Sequence, residues 1–458
     1  MFQKIASTFA NCFKIPELKS RIKYTLGVLI VCRVISMLPI PGINGADLQA
    51  LFEEQSKSGG GGLMGMYSMF TGGALERCAI GALGIMPYIS ATIIIQLLSA
   101  VVPRLSKLMR EEGGRTKIVQ YGRVLTLLLC LGQGLFMALS WSRPGEFFDG
   151  FKGDLLMPYM RDHMWWFYIQ TTVVLTTGTM LLMWFGEQIT ERGIGNGVSL
   201  VITIGILARL PQAVQGIRDM FSKAEGFNPF YALILIALLV SVIAGVIAIT
   251  QAQRKVPVQY AQRAVGRKVY QGGTSFMPLR VNYAGVMPVI FASAILMLPA
   301  QIFSKAGHYF NLEFLTRLSN MLQKQSFFYL VLYGLMILFF SYFWVATQFN
   351  EIQIADDLKK YGGYIPGVRP GQATSTFLHN AMSRITLAGA VFLTVIAVIP
   401  IILGNVMGIP GTVTQFFGGT GMLILVGVML DTMRQMESHL LMRHYDGFLK
   451  KGRIKGRF

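Results

Sequence analysis

GIMPYISA, residues 84–91, returns as GVMPVIFA, residues 285–292. The two stretches agree at the glycine, the methionine, the proline, the next isoleucine and the final alanine, 201 positions apart. A chance match in a chain rich in Gly, Met, Ile and Ala is the bland alternative. A duplicated structural unit is the other, and the runs around the two copies decide its geometry.

The chain has 458 residues, of which 53% are hydrophobic and 14% charged, and its mean hydropathy is +0.52. Soluble domains carry about 25% charged residues, so the totals point to a protein that crosses a membrane several times. A hydrocarbon core about 30 Å thick takes about 20 apolar residues as helix. Ten runs qualify, at roughly 24–41, 78–101, 118–140, 164–185, 194–210, 230–250, 284–303, 327–347, 384–404 and 414–430. The chain begins with a basic tail, but the first run leads into LPIPGING rather than a cleavage site. It is read as a retained span.

Charge tests this count. With residues near span ends assigned to the nearer side, 29 of the 41 Lys and Arg fall on the two tails and loops 2–3, 4–5, 6–7 and 8–9. Eleven fall on the alternate loops, and Arg33 lies within span one. The positive-inside rule then places both termini in the cytoplasm. The copies of the repeat lie in spans two and seven, five spans apart, so they cross in opposite directions. That is the pattern of two inverted halves about an axis in the membrane plane. The predicted fold is an all-α polytopic protein of ten transmembrane helices in two five-helix halves, residues 1–220 and 221–458. A loop near 212–229 forms the seam.

The spans hold almost no carboxylate or histidine, which argues against an ion-coupled pump. Arg33, in VCRVISMLP, is expected to face the bundle interior, solvated or paired. GIGNGVS, 193–199, looks like a phosphate loop but follows no strand, so close helix packing or a flexible helix start is the better reading. Cys12, Cys32, Cys78 and Cys130 lack a metal-ligand or disulfide spacing and read as small buried thiols. No metal site, cofactor or catalytic constellation is expected.

Three polar or irregular regions remain. Loop 6–7, about 251–281, carries six basic residues and no acid. Val256, Val258 and Tyr260 alternate there as in a strand. Loop 8–9, about 348–383, is also long. The charge density of loop 6–7 suits a polyanion, either RNA phosphates or an acidic protein face; ordinary positive-inside charge explains its sign but not its length. The third region is GGGGLMGMYSMFTGGAL, 59–75, apolar enough for a membrane but too short and glycine-rich to cross one.

GGALERCAIGALGIMPYISATIIIQLL, LMWFGEQITERGIGNGVSL, VPVQYAQRAVGRKVY with LRVNYAGVMPVIFAS, DDLKKYGGYIPGVRPGQ and YDGFLKKGRIKGR together resemble the bacterial SecY family, the central subunits of the Sec protein-conducting channel. The resemblance runs from about residue 17 to the end. It implies a central pore that passes unfolded polypeptides across the bacterial inner membrane or sideways into lipid. It also implies SecE and SecG as companion subunits, and the SecA ATPase, the ribosome, signal peptides and nascent chains as partners. Residues about 63–76 match a plug helix, with Met64, Met66, Met69, Phe70, Thr71, Gly72 and Gly73 in it. Glycines weaken such a helix by about 1 kcal/mol each, and methionines fill an irregular cavity adaptably. The tract Gly59–Gly62 reads as an added hinge to which no function is carried over.

By the same resemblance the pore ring falls on Ile85, Ile89, Ile194, Val198, Ile290 and Ile424, with Val198 one methylene smaller than the usual isoleucine. An aliphatic ring resists ions by dewetting. Ser90, Gln133 and Asn282 map to a lateral gate between spans two and seven. Arg254, Lys255, Arg263, Arg267, Lys268 and Arg369 map to SecA or ribosome contact, although Arg369, between Pro and Gly on a turn, could be structural. A passive polypeptide channel thus stands against two rivals. A secondary transporter lacks its intramembrane carboxylates, and a recruiting scaffold leaves the plug and twin helices unexplained.

Overall fold

The computed structural model describes residues 15–57, 63–111, 113–147, 151, 153–223, 229–260, 263–265, 268–270, 273–310, 312–322, 326–406, 413, 416 and 420–451. The chain divides into two compact units, Met1–Phe227 with Ile409–Phe416 and Ile424–Phe458, and Asn228–Gly408 with Phe417–Leu423.

The first unit holds α1 (Pro16–Ile35), α2 (Ala46–Lys57), α3 (Leu63–Thr71), α4 (Met86–Val101), α5 (Pro103–Arg110) and α6 (Gly114–Ser142). After them come α7 (Pro144–Phe147), α8 (Pro158–Arg161), α9 (Met164–Arg192), α10 (Gly197–Leu207) and α11 (Leu210–Lys223). The apolar α9 packs on α6, α10 and α1, while α4 packs on α6. The short α3 lies against α10.

The second unit holds α12 (Pro229–Gln251), then β1 (Gln253–Tyr260), β2 (Arg263–Val265), β3 (Lys268–Tyr270) and β4 (Thr274–Arg280). It continues with α13 (Met287–Phe310), α14 (Glu313–Met321), α15 (Phe327–Gln348), α16 (Glu351–Lys360), β5 (Gly363–Tyr364) and α17 (Gln372–Val406). The last described helix, α18 (Thr420–Lys451), belongs from Ile424 onward to the first unit.

Among the described residues, five helical stretches are long and apolar enough to cross a membrane: Thr116–Ser142, Met164–Arg192, Gly197–Arg218, Phe327–Lys360 and Gln372–Gly404. Shorter apolar helices run over Met86–Ser99, Ile236–Gln251 and Met287–Leu296. The chain is therefore a helical, multi-pass membrane protein.

Several predicted boundaries move. The first helix starts at Pro16, whose fixed φ suits the first turn, and ends at Ile35 because Pro39 disfavours helix just before it. Residues 78–85, assigned to span two, form turns rather than helix. Pro87 lacks an N–H and sits in the first turn of α4. Gly84, at φ +60°, supplies the left-handed residue that makes the turn. The second copy repeats this: Gly285 lies at φ +63°, and α13 begins with Met287 and Pro288. Part of the expected seam is helical too, since α11 runs over Leu210–Lys223.

GIGNGVS is a packing turn. A Cβ on Gly197 would lie 1.9 Å from the Gly186 carbonyl oxygen, so only glycine allows that approach. The Gly197 and Gly195 amides donate to Thr190 Oγ1 at 2.9 Å and Gln435 Oε1 at 2.8 Å. Asn196 caps α10 by accepting from the Ser199 amide at 3.2 Å. Cys32, Cys78 and Cys130 are free and buried, and Cys12 lies outside the described residues.

The alternation in loop 6–7 is a strand. β1 pairs antiparallel with β4 on one side and β5 on the other, giving the order β4-β1-β5. Val256 and Val258 point inward, whereas Tyr260, at the strand's end, is exposed. Val256 joins Leu279, Phe349, Ile365, Leu378 and Met382 in one apolar cluster. The β2–β3 hairpin forms a separate two-stranded ribbon.

Candidate functional site

In the first unit, α3 is a nine-residue helix whose last five residues are buried. Tyr67, Ser68, Met69, Phe70 and Thr71 are all buried. The position of α3 is set by close backbone approach. A Cβ on Gly205 of α10 would stand 3.0 Å from the Phe70 carbonyl oxygen. One on Gly72 would stand 2.9 Å from Gly205 Cα, and Gly72 itself is left-handed at φ +66°. Tyr67 donates its hydroxyl to the Leu83 carbonyl at 3.0 Å, tying the helix to the turn ahead of α4. The side chains of Met64 and Met66 are not described, although the backbone places both residues in α3. Gly59–Gly62 lie outside the described residues.

Charged groups hold the same segment. Arg33 of α1 donates from Nη1 to the Gly72 carbonyl at 3.2 Å. Arg33, Phe70, Thr71, Ile85, Val201 and Ile204 line a cavity of about 20 Å³, which is room for one water. Ser68 donates to Glu76 Oε1 at 2.7 Å, and Arg209 Nη2 reaches both Ser68 Oγ and Glu76 Oε1. These two charged side chains are 11% and 7% exposed. Gly73, at φ +84°, turns the chain between Ser68 and Glu76.

The residues matched to the pore ring are distributed as follows. Ile85 lies in the turn before α4 and lines the cavity beside Phe70 and Thr71, with buried Ile89 one turn into α4. Ile194 packs with Leu18 and Met436, near the start of α1 and along α18. Its amide donates to Thr25 Oγ1 of α1 at 3.1 Å. Val198 is half-buried, and its Cγ2 would meet a Cβ on Gly186 at 3.5 Å. Ile290 in α13 and Ile424 in α18 are buried.

Of the lateral-gate residues, Ser90 is buried in α4 and Gln133 half-buried on α6. Asn282 is buried, and its Nδ2 donates to the Gly285 carbonyl at 2.9 Å, bracing the turn before α13. That local bond was not foreseen from the sequence, although an Asn three residues before a left-handed glycine is a common turn signal.

Three of the matched basic residues lie on or beside the β4-β1-β5 sheet. Arg254 and Lys255 are exposed on β1, opposite Leu279 and Pro278. Arg369 is exposed in the turn after β5, between the left-handed Gly367 and Gly371, and its carbonyl accepts from Thr374 Oγ1 at 2.9 Å. The two long loops thus share one sheet. Arg263 and Lys268 lie on β2 and β3, with side chains that are not described, and Arg267 is outside the described residues.

Sequence reading missed Arg209 and the pairing of Glu76. They are 133 positions apart, and nothing local links them. It also missed that the partner of Arg33 is a backbone carbonyl, which no side-chain pattern can report.

The SecY family profile matches residues 79–433. The protein translocase subunit SecY of Chlamydia trachomatis is 44% identical over 464 residues, covering 98% of this chain and all of that one. Its Escherichia coli K12 counterpart is 43% identical over 442 residues, with 96% of each covered. Among solved structures, a protein-conducting channel superposes with TM-score 0.59 at 18% identity, over 94% of this chain and 96% of that one. Sec61 from a canine ribosome-channel complex of the endoplasmic reticulum gives 0.56 at 17%, with the same coverage. At these identities the structural likeness speaks to the fold, and the sequence relatives speak to descent. With a buried, glycine-turned helix at the site and full-length kinship on this scale, the chain belongs to the SecY family of protein-translocase channel subunits.

Proposed function

We propose that residues 63–76 plug the resting channel and withdraw when a polypeptide is to pass. As a family member the chain is a subunit of a protein-conducting channel and not an enzyme. The observation that carries the plug is the seating of α3 behind Gly205, with Gly72 held by Arg33. A helix of nine residues that is apolar, glycine-flanked and fixed by a few polar contacts suits a part that must leave and return.

The constriction is proposed at Ile85, Ile89, Ile194, Val198, Ile290 and Ile424. Ile194 is the member whose packing with Leu18 and Met436 argues for a structural role instead. Residues 1–220 and 221–458 act as inverted halves of ten spans in all. Apolar signal peptides and transmembrane segments leave sideways into lipid between spans two and seven, past Ser90, Gln133 and Asn282. The protein works in the bacterial inner membrane with both termini in the cytoplasm, in keeping with the 29-to-11 split of basic residues. SecE and SecG complete the complex. SecA or the ribosome docks on Arg254, Lys255, Arg263, Arg267, Lys268 and Arg369; the fold likeness to Sec61 in a ribosome-channel complex supports the second partner.

Reconstitution tests the reading. Vesicles carrying this chain with SecE and SecG should import a secretory precursor when given SecA and ATP. Deleting Met64–Leu75 should raise the resting ion conductance of planar bilayers while import partly survives. An unchanged resting conductance would remove the plug from the mechanism.

A further inference from the structure

We infer that Glu76 and Arg209 are positioning residues that latch the plug through Ser68. The inference rests on the plug reading above and names what holds that plug shut.

Two distant pieces of chain meet at one carboxylate oxygen. Ser68 is in α3, Glu76 lies five residues beyond its end, and Arg209 occupies the turn between α10 and α11. Glu76 Oε1 accepts from the Ser68 hydroxyl at 2.7 Å and from Arg209 Nη2, which also reaches Ser68 Oγ. Ser68 is fully buried, and Glu76 and Arg209 nearly so. Withdrawing residues 63–76 carries Ser68 and Glu76, the last residue of that segment, away from Arg209. The guanidinium is then left without its carboxylate and hydroxyl partners, so departure of the plug is opposed by the buried charge that stays behind.

Arg33 on the Gly72 carbonyl is a second, independent hold a few residues away. The geometry therefore divides the closure into an apolar seat, given by Gly205 and Phe70, and a polar catch, given by Glu76 and Arg209. The catch is the part that charge substitution can tune without refilling the cavity.

The test uses the full chain assembled with SecE and SecG in vesicles. A cysteine replaces buried Met69, the native cysteines are changed to serine, and labelling by a membrane-impermeant maleimide reports plug exposure. Glu76→Gln should raise the labelling rate at least tenfold and raise resting conductance in parallel. Ser68→Ala, the milder change, should raise both two- to fivefold. Glu76→Arg with Arg209→Glu should bring the rate back to within about threefold of the parent. Added signal peptide should make parent and variants label alike, because the plug is out in all of them; a general packing defect would leave the variants faster.

If Glu76→Gln and Ser68→Ala both label at the parent rate, there is no latch. If deleting Met64–Leu75 raises conductance while these variants do not, the plug stands and the latch falls. If the deletion also leaves conductance unchanged, the plug reading and the latch fall together.

Discussion

Gly84 and Gly285 adopt the same left-handed backbone, φ +60° and +63°, each two residues before a helix that opens with Met-Pro. The turn ahead of each helix is built twice from the same short code. An L side chain in this region costs roughly 1–2 kcal/mol. Gly84→Ala and Gly285→Ala should each lower the melting temperature in detergent by about 2–4 °C. Gly84→Ala should also raise resting conductance, since its Cβ would stand 3.0 Å from Thr71 Cγ2 of the plug helix.

Gly205→Ala separates stability from sealing. Alanine in place of a mid-helix glycine favours α10 by about 1 kcal/mol. Yet its Cβ, 3.0 Å from the Phe70 carbonyl oxygen, presses on the plug. The expected outcome is an unchanged or higher melting temperature together with a leakier channel. Bilayer recordings beside thermal scans check it, and a leak that falls would refute the close-approach account.

Arg33→Gln removes the bond to the Gly72 carbonyl. Hydrogen bonds to charged groups contribute about 1.5–3 kcal/mol, so the closed-to-open ratio of the plug should drop about tenfold or more, each 1.4 kcal/mol being a factor of ten. Lysine has a compact ammonium in place of the guanidinium fork, so Arg33→Lys should restore the seal only in part. Cysteine labelling of the plug reports both.

Val256→Ala tests the sheet that joins the two loops. It removes two buried methyl groups, at about 0.8 kcal/mol per buried CH₂, from the cluster with Leu279 and Ile365. Limited proteolysis should cut both loops faster, not only the one that was changed, while the membrane helices survive.

Arg254→Glu and Arg369→Glu act at exposed positions, so folding should change by less than about 0.5 kcal/mol. Binding of a polyanionic partner should weaken, and its salt dependence should flatten by about 0.7–0.9 for each phosphate no longer neutralised. Titration of ribosomes against vesicles at several salt concentrations measures this.

Helix-forming runs and the Gly-Met-Pro repeat were legible because each is a local pattern. The inward faces of Val256 and Val258 followed from period two, and Tyr260 escaped it because the strand ends there. Residues 78–85 read as span because hydropathy does not register that Pro87 must open a helix. Ser68, Glu76 and Arg209 were illegible for a different reason. Their meeting depends on how α3 folds back on α10, with 141 positions between serine and arginine. Ile194 matched a motif position, but its neighbours, Leu18 and Met436, come from the far ends of the chain.

The sheet β4-β1-β5 has a mechanical consequence. β1 follows directly from α12, β4 leads into α13, and β5 precedes α17. The two loops are therefore not independent tethers. A tug or thrust delivered to either is shared among the ends of three apolar helices at once, and whatever leans on this ledge moves them as one lever.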